Sequence, residues 1–456
     1  MHNPQPIPAM KISHAKKPLP KLLYADEKGN IYSHPRLEMM GCSSAAMVRP
    51  DPEDLTLLPE MSKLFFHPNC TPYGYDPVKK IVVSLPETKV GRRTVKCSAV
   101  SAFIQQGWVR LLLPAMDYSR KNYSLPLWAY STVGLADGKY YVPAFEIDDN
   151  FRWRPAQFDD RGLAAAIKKR LAEFPGNRLM HHLERCAGEY HCFAAKNFFF
   201  RRWEAPIPTS PACNSQCIGC ISLQPDSACL APQERIRFVP GVEEIVAPFV
   251  RHLNEAPDPI ISFGQGCEGE PIMQWQRISN AIAAIRAETD TGTINLNTNG
   301  SVPAWVEAVC RSGLDSIRIS MNSARKELYD RYYCPQNYCF EDVIESIKIA
   351  GDNGVFTMIN YLIFPGITDQ EEEVAALVKI IERTRPNLVH FKNLNIDPAL
   401  YLKAMGSPSR PGIGVKKVKE LLAKEFPYLQ FGYYNRTREN FFTDQSQNTG
   451  KRPTPR

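Results

Sequence analysis

Hydrophobic and polar positions change rhythm along this chain near residue 200. Before it, short runs over 80–85, 109–113 and 139–145 alternate apolar with polar residues between turn-forming stretches, which predicts strands. One amphipathic helix, over 160–174, interrupts them. From about Glu204 the pattern becomes strand then helix, repeated. Strands are predicted over 259–264, 293–298, 316–321, 355–364 and 388–395. The helices between them run to about Thr289, over 304–311, through a long helical region ending at Gly354, and over 370–384. Asn353-Gly354 is a helix stop, and Thr368 with Glu371 has the spacing of a capping box before the last helix. The βαβα order predicts an α/β fold with a parallel sheet and helical crossovers. With 456 residues the chain exceeds one ordinary core. The expected divisions are an N-terminal α+β domain over 1–200, a repeat domain over 201–400, and a C-terminal extension with a basic tail over 401–456.

Two of the predicted strands have a polar face. Asn295, Asn297 and Asn299 alternate with Ile294 and Leu296, and Arg318, Ser320 and Asn322 alternate with Ile317, Ile319 and Met321. A closed eight-stranded barrel fills its lumen with branched apolar side chains. Burying polar stripes without partners costs roughly 1–3 kcal/mol per group, so these are expected to line a wet or ligand-filled cavity.

Composition narrows the class. The chain is 44% hydrophobic and 23% charged, as in globular proteins, and its 38 prolines imply many irregular connections. No stretch approaches the ~18 uncharged apolar residues of a membrane span, and Met1 to Lys21 has no apolar export core, so a cytoplasmic setting without membrane association is expected. Thirteen cysteines in a long chain without an export signal fit reduced thiols better than a disulfide framework. The net charge of +7 is spread over clusters such as Lys16-Lys17, Arg92-Arg93 and Lys416-Lys417. It permits an anionic partner, RNA included, but no RNA-binding signature accompanies it.

The chemistry concentrates in Pro211-Ala-Cys213-Asn-Ser-Gln-Cys217-Ile-Gly-Cys220, three thiols within eight residues on a loop after a short strand. Closely spaced thiolates let one loop hold several irons, and three of them leave the fourth iron of a 4Fe-4S cluster with an open site. Zinc competes for the same thiolates, with Cys229 as a fourth ligand, but the partner pair of a zinc ribbon is not evident. Further on, Gly264-Gln-Gly266-Cys-Glu-Gly269-Glu270-Pro271 satisfies the dinucleotide-binding glycine pattern. The next strand nevertheless ends in Asn297-Thr-Asn299-Gly300 and lacks the acidic residue that would hold a ribose.

Cys-x3-Cys-x2-Cys after the first strand of an α/β repeat resembles the signature of the radical S-adenosylmethionine (radical SAM) superfamily. Over about 204–400 the resemblance implies a partial (β/α)6 TIM-like barrel, with Cys213, Cys217 and Cys220 on a 4Fe-4S cluster. The open iron would chelate S-adenosylmethionine, and reductive cleavage would yield a 5′-deoxyadenosyl radical. Gly269-Glu270-Pro271 is similar to the family's GGEP motif, which implies that Gly269 and Glu270 bind the methionine amino group. Asn299, Ser320 and Asn322 fall where relatives hold other parts of the cofactor. Phe364 to Asp369 resembles a loop packed near adenine, and Asn393 sits near the end of the sixth strand. Gly219 stands where the family often has an aromatic residue. A one-electron donor of flavodoxin or ferredoxin type is implied as partner.

Other cysteines are open to bland readings. Cys267 fits a small buried strand-end residue better than a reactive thiol. His181-His182, Cys186 and His191-Cys192 cluster upstream of the repeat, but Cys-x5-Cys is not a usual metal spacing, and whether they bind an auxiliary metal stays open. Cys334 and Cys339 read as structural, and no cysteine follows to build a C-terminal auxiliary cluster. The alternative to a radical SAM enzyme is a zinc-stabilised nucleic-acid-binding module without catalytic activity.

Overall fold

The computed structural model describes residues 19–120, 123–222, 231–408 and 410–442. Lys16-Lys17, Cys229 and the basic tail after Phe442 lie outside the described residues.

Seven strands form a parallel sheet in strict chain order: Glu204–Ile207, Ile260–Phe263, Thr293–Thr298, Ser316–Met321, Phe356–Ile363, Leu388–Asn393 and Gln430–Gly432. Parallel crossovers are right-handed, so an order that never reverses sends every crossover helix to the same face. The apolar half of the alternation packs against those helices: Ile294, Leu296, Ile317 and Ile319 are fully buried, each contributing roughly 1.5–3 kcal/mol on burial. The polar half faces the other way. The seventh strand lies within the expected C-terminal extension and is delivered by helix Val415–Glu425.

Two expectations about helix ends are corrected. The long helical region before Gly354 is two helices, Lys326–Tyr333 and Phe340–Asp352. Cys334 closes the first with φ 45 in the left-handed region, and Pro335 disfavours helix at the residue before it. Helix Glu371–Thr384 starts at Gln370 rather than at a Thr368–Glu371 box. The Thr368 hydroxyl is engaged instead with the amide and carbonyl of Phe364, closing the preceding turn. Asn353 caps the second of the two helices, with Gly354 at φ 75, as predicted.

Residues 21–146 form antiparallel sheets of short strands, and helices Leu163–Glu173, Arg178–Gly188 and Phe193–Phe199 follow. These helices share one apolar core with the parallel sheet: Leu183 and Phe198 cluster with Ile207 and Phe249. The change of texture near residue 200 is therefore not a packing boundary. The antiparallel region covers the C-terminal end of the later parallel strands. Buried Arg110 donates from its amide to Asn393 Oδ1 at 3.0 Å and from Nη2 to the Leu394 carbonyl at 2.8 Å. Asp148 accepts the amides of Tyr433 and Tyr434 at 2.8 and 3.0 Å, and the Ser44 amide donates to the Pro365 carbonyl at 2.9 Å.

Candidate active site

At the C-terminal ends of the parallel strands lies a cavity of about 530 Å³ whose wall includes Cys213, Cys217 and Cys220. Gly269, Glu270, Asn299 and Ser320 line the same cavity, as do Arg318, Asn360, Lys392 and Asn393. The N-terminal region contributes Gln106, Trp153 and Phe193 to its rim. Ligand sites of such folds collect where strand ends meet the following loops, and the thiols sit on the loop after the first strand.

That loop is held from two sides. Helix Lys326–Tyr333 leaves carbonyls without intrahelical partners at its C-terminus, as every helix does. The Ile218 and Gln216 amides donate to two of them, Tyr332 and Tyr333, each at 3.0 Å. The Gln336 amide donates to the Asn214 carbonyl at 2.9 Å, and the Ser215 and Tyr338 hydroxyls meet at 2.7 Å. The helix break at Cys334 and Pro335 thus aligns the chain with the cysteine loop. On the other side, the amides of Gly269 and Glu270 donate to the Ser210 and Ala212 carbonyls at 2.6 and 2.8 Å. A side chain at position 269 would place its Cβ 2.0 Å from the Ala212 carbonyl oxygen, so only glycine permits this approach.

Two carboxylates organise the floor. Glu270 accepts from the Ile272 amide at 3.0 Å and the Thr298 hydroxyl at 2.5 Å through Oε1, and from the Asn299 amide at 2.8 Å through Oε2. Oε2 has no further hydrogen-bond partner among the described residues, and Glu270 lines the cavity, so it has acceptor capacity for one more donor. Glu268, which no motif singles out, accepts from the Thr209 and Ser210 amides through one oxygen and from Gly264 and Gln265 through the other. It ties the first strand's exit to the second's. Burial pushes both carboxyls up to about 7. The signal for Glu268 was its place inside the glycine-rich run, two residues before Glu270.

Asn299 is committed to the loop: its Nδ2 donates to Asn214 Oδ1 at 2.9 Å and to Ser215 Oγ at 3.1 Å. Ser320 accepts from Asn360 Nδ2 at 3.0 Å. Asn360 Oδ1 and Arg318 Nε are buried on the cavity wall with no hydrogen-bond partner among the described residues, so this wall suits a polar ligand. Lys392 faces the Tyr433 ring at 4.9 Å, and burial, followed by the Arg318 charge, drives its ammonium well below the ordinary lysine range.

Three expectations about the site change. Asn322 does not line the cavity. The strand ends at Met321, and buried Asn322 Nδ2 donates to the Leu328 carbonyl at 3.2 Å and to the Tyr401 hydroxyl at 3.1 Å, under helix Lys326–Tyr333. Asn295 is satisfied inside the sheet by Ser262, Asn297 and Ser316 instead of facing the cavity. The Phe364 to Asp369 loop lies against the antiparallel region: a Cβ on Gly366 would come 1.9 Å from the Ser44 nitrogen. At Gly219, the space where an aromatic ring was expected is bounded by Ile396 and the Tyr332 hydroxyl, which lie 3.0 and 3.1 Å from where a Cβ would stand.

As they stand, the three thiols do not form a compact single-zinc site. Thiolates on one zinc lie about 3.8 Å apart, from Zn–S bonds of about 2.3 Å at tetrahedral angles. Among the described residues, only His182, Cys186 and Cys267 have ligand atoms all within 4.8 Å of one another, so at least one pair of the Cys213, Cys217 and Cys220 sulfurs lies farther apart than that. Burial pushes Cys213 up to about 12, the Glu270 charge adding to it, and raises Cys217 and Cys220. Ligation requires the thiolate, so a bound cation must displace these protons to solvent.

Residues 207–378 match the model of the Radical SAM superfamily. A comparison with curated proteins yields no match. Among solved structures, the chain is similar to methylornithine synthase (PylB), 16% identical over 60% of this chain and 69% of that one, with a TM-score of 0.37. It is also similar to Streptococcus suis SuiB bound to S-adenosylmethionine, 13% identical over half of each chain, TM-score 0.37. A third is HydG, a maturase of the FeFe-hydrogenase, 15% identical over 60% of this chain and 66% of that one, TM-score 0.37. Among the described residues no helix is long and apolar enough to cross a membrane.

Proposed function

The chain belongs to the radical SAM superfamily through residues 207–378, and on that premise we propose that it cleaves S-adenosylmethionine reductively at a 4Fe-4S cluster held by Cys213, Cys217 and Cys220. When bound, the cluster and S-adenosylmethionine supply an electron and a 5′-deoxyadenosyl radical able to abstract hydrogen from a substrate. Everything else is the work of this chain's residues.

Glu270 offers its remaining Oε2 lone pair to an ammonium group, a charge-assisted bond in a buried setting. Asn299 is a positioning residue, holding Asn214 and Ser215 so that the thiols keep their places. Ser320 and Asn360 present polar atoms to the nucleoside portion, while Tyr332 and Ile396 stand in for the missing aromatic residue at Gly219. Asn322 supports helix Lys326–Tyr333 and is assigned no cofactor contact. The N-terminal region closes the cavity rim and keeps water from a reactive species. The parallel strands are read as a partial (β/α)6 TIM-like barrel with one added strand. A one-electron donor of flavodoxin or ferredoxin type and a cytoplasmic setting, where thiols stay reduced, belong to the same reading. The zinc-module alternative has no support in the spacing of these sulfurs.

The observation that carries the reading is the convergence of three thiols and Glu270 on one cavity. Electron paramagnetic resonance tests it. The anaerobically reconstituted, dithionite-reduced protein is expected to give a cluster signal that changes shape when S-adenosylmethionine is added. A cluster signal indifferent to S-adenosylmethionine counts against the proposal.

A further inference from the structure

Away from the cluster thiols, the fold brings together three residues that lie far apart in the chain. His182 and Cys186 are four residues apart on helix Arg178–Gly188, so they share a face. Cys267 comes from the glycine-rich loop after the second parallel strand. The His182 Nε2, Cys186 Sγ and Cys267 Sγ atoms all lie within 4.8 Å of one another, and the Cys186 sulfur is 3.6 Å from His182 Nε2. On a tetrahedral zinc, a sulfur and an imidazole nitrogen lie about 3.6 Å apart, given bonds of about 2.3 and 2.0–2.1 Å. Both thiols are buried, Cys186 completely and Cys267 to within 2%. His182 is half-buried and leaves the site one face toward solvent.

We propose that His182, Cys186 and Cys267 bind a single zinc ion, separate from the cluster, that fastens helix Arg178–Gly188 to the loop bearing Glu268, Gly269 and Glu270. Charge supports this choice of metal. Two thiolates and a neutral imidazole neutralise a divalent ion, so the assembled site carries no net charge into a buried place. Two protons leave as it forms, one from each thiol. Zinc suits mixed sulfur and nitrogen ligands and undergoes no redox change that would compete with radical chemistry nearby. The fourth position falls to water, which leaves the charge balance unchanged. His181 is excluded: it points to the exposed side, where it meets Glu184 at 3.2 Å.

The mechanical consequence follows from the loop. Cys267 holds the Ile236 amide through its carbonyl at 2.8 Å, and Glu268 next to it anchors the first and second strand exits. A metal at Cys267 ties the loop to helix Arg178–Gly188 while the amides of Gly269 and Glu270 tie it to the cysteine loop, so that Glu270 belongs to a segment held at both ends.

The test is zinc content and zinc K-edge X-ray absorption of the full chain, reconstituted with its iron-sulfur cluster, then supplied with zinc and exhaustively dialysed. Because the edge is specific to zinc, cluster iron does not interfere. The expected result is one zinc per chain, with two sulfur scatterers near 2.3 Å and at least one nitrogen near 2.0 Å. Cys186→Ser with Cys267→Ser should lower retained zinc at least about tenfold, whereas Cys213→Ala should leave it unchanged while abolishing cluster iron. If the double variant does not fold, His182→Ala at its half-buried position serves, again with a loss of about tenfold or more. No retained zinc, zinc with only oxygen and nitrogen neighbours, zinc lost through Cys213→Ala, or a Cys186–Cys267 disulfide in the purified protein each overturn the proposal. Iron content and S-adenosylmethionine response, read on the same samples, report separately on the cluster.

Discussion

Gly269 shows how a cofactor motif is also a packing device. The 2.0 Å approach that a methyl group would make to the Ala212 carbonyl oxygen must push the glycine-rich loop off the cysteine loop. Gly269→Ala is therefore expected to reduce cluster iron per chain severalfold after reconstitution while the far-ultraviolet dichroism stays near that of the parent; full iron loading would contradict this. A second prediction concerns His252, buried beside Phe198 at a ring distance of 5.6 Å. Burial, helped by the Arg201 charge, lowers its pKa to about 3. A depressed folded-state value means that its contribution to stability is whole above the unfolded pKa of about 6.5 and is lost as pH falls toward 3, roughly 2 kcal/mol by pH 5. Replacing it with phenylalanine should flatten the fall in melting temperature between pH 6.5 and 4. An unchanged slope would show that His252 does not set it. At this scale the sequence was most readable where chemistry is local: the three cysteines and Gly269-Glu270 lie in short runs. Glu268 was legible only through its neighbours. Asn322 was misplaced because period-two alternation loses its meaning once the strand ends at Met321.

Among the elements, the short segment between helices Lys326–Tyr333 and Phe340–Asp352 has the largest consequence. It interrupts what hydrophobic periodicity presents as one helix, and the interruption frees carbonyls that hold the cysteine loop. Tyr338→Phe removes the partner of the Ser215 hydroxyl at 2.7 Å. It is expected to cost about 1 kcal/mol and to speed bleaching of the cluster absorbance by an iron chelator. Bleaching at the parent rate would mean that this contact does not brace the loop. Strand positions within the repeat were legible to within about two residues, because alternation of apolar and polar positions over five or six residues is a strong local signal. The break at Cys334 was less so, since its cause is partly a pairing with residues more than a hundred positions earlier in the chain.

The whole molecule is joined along a seam that no local pattern reveals. Asn393 Oδ1 accepts the amide of Arg110, 283 residues away, and its Nδ2 donates to the Trp108 carbonyl, across the boundary between the antiparallel region and the sixth parallel strand. Arg110→Met leaves the Leu394 and Tyr130 carbonyls without their guanidinium donor and should lower stability by about 2 kcal/mol in chemical denaturation; a change within experimental error would deny the seam its structural role. The same distance explains why the pairings that hold the N-terminal region over the cavity were illegible. Its strands were readable singly, but their partners are scattered through the chain. The seventh parallel strand escaped for a related reason: three residues, Gln430–Gly432, are too few to show alternation.

Turnover of S-adenosylmethionine in this cavity is the property on which all of the proposed chemistry depends. The reduced, reconstituted protein is to be incubated anaerobically with S-adenosylmethionine, and 5′-deoxyadenosine and methionine are to be quantified by mass spectrometry. Equal amounts of both products are predicted, disappearing in a Cys213→Ala, Cys217→Ala, Cys220→Ala variant. A fully iron-loaded protein that forms neither product would contradict that chemistry.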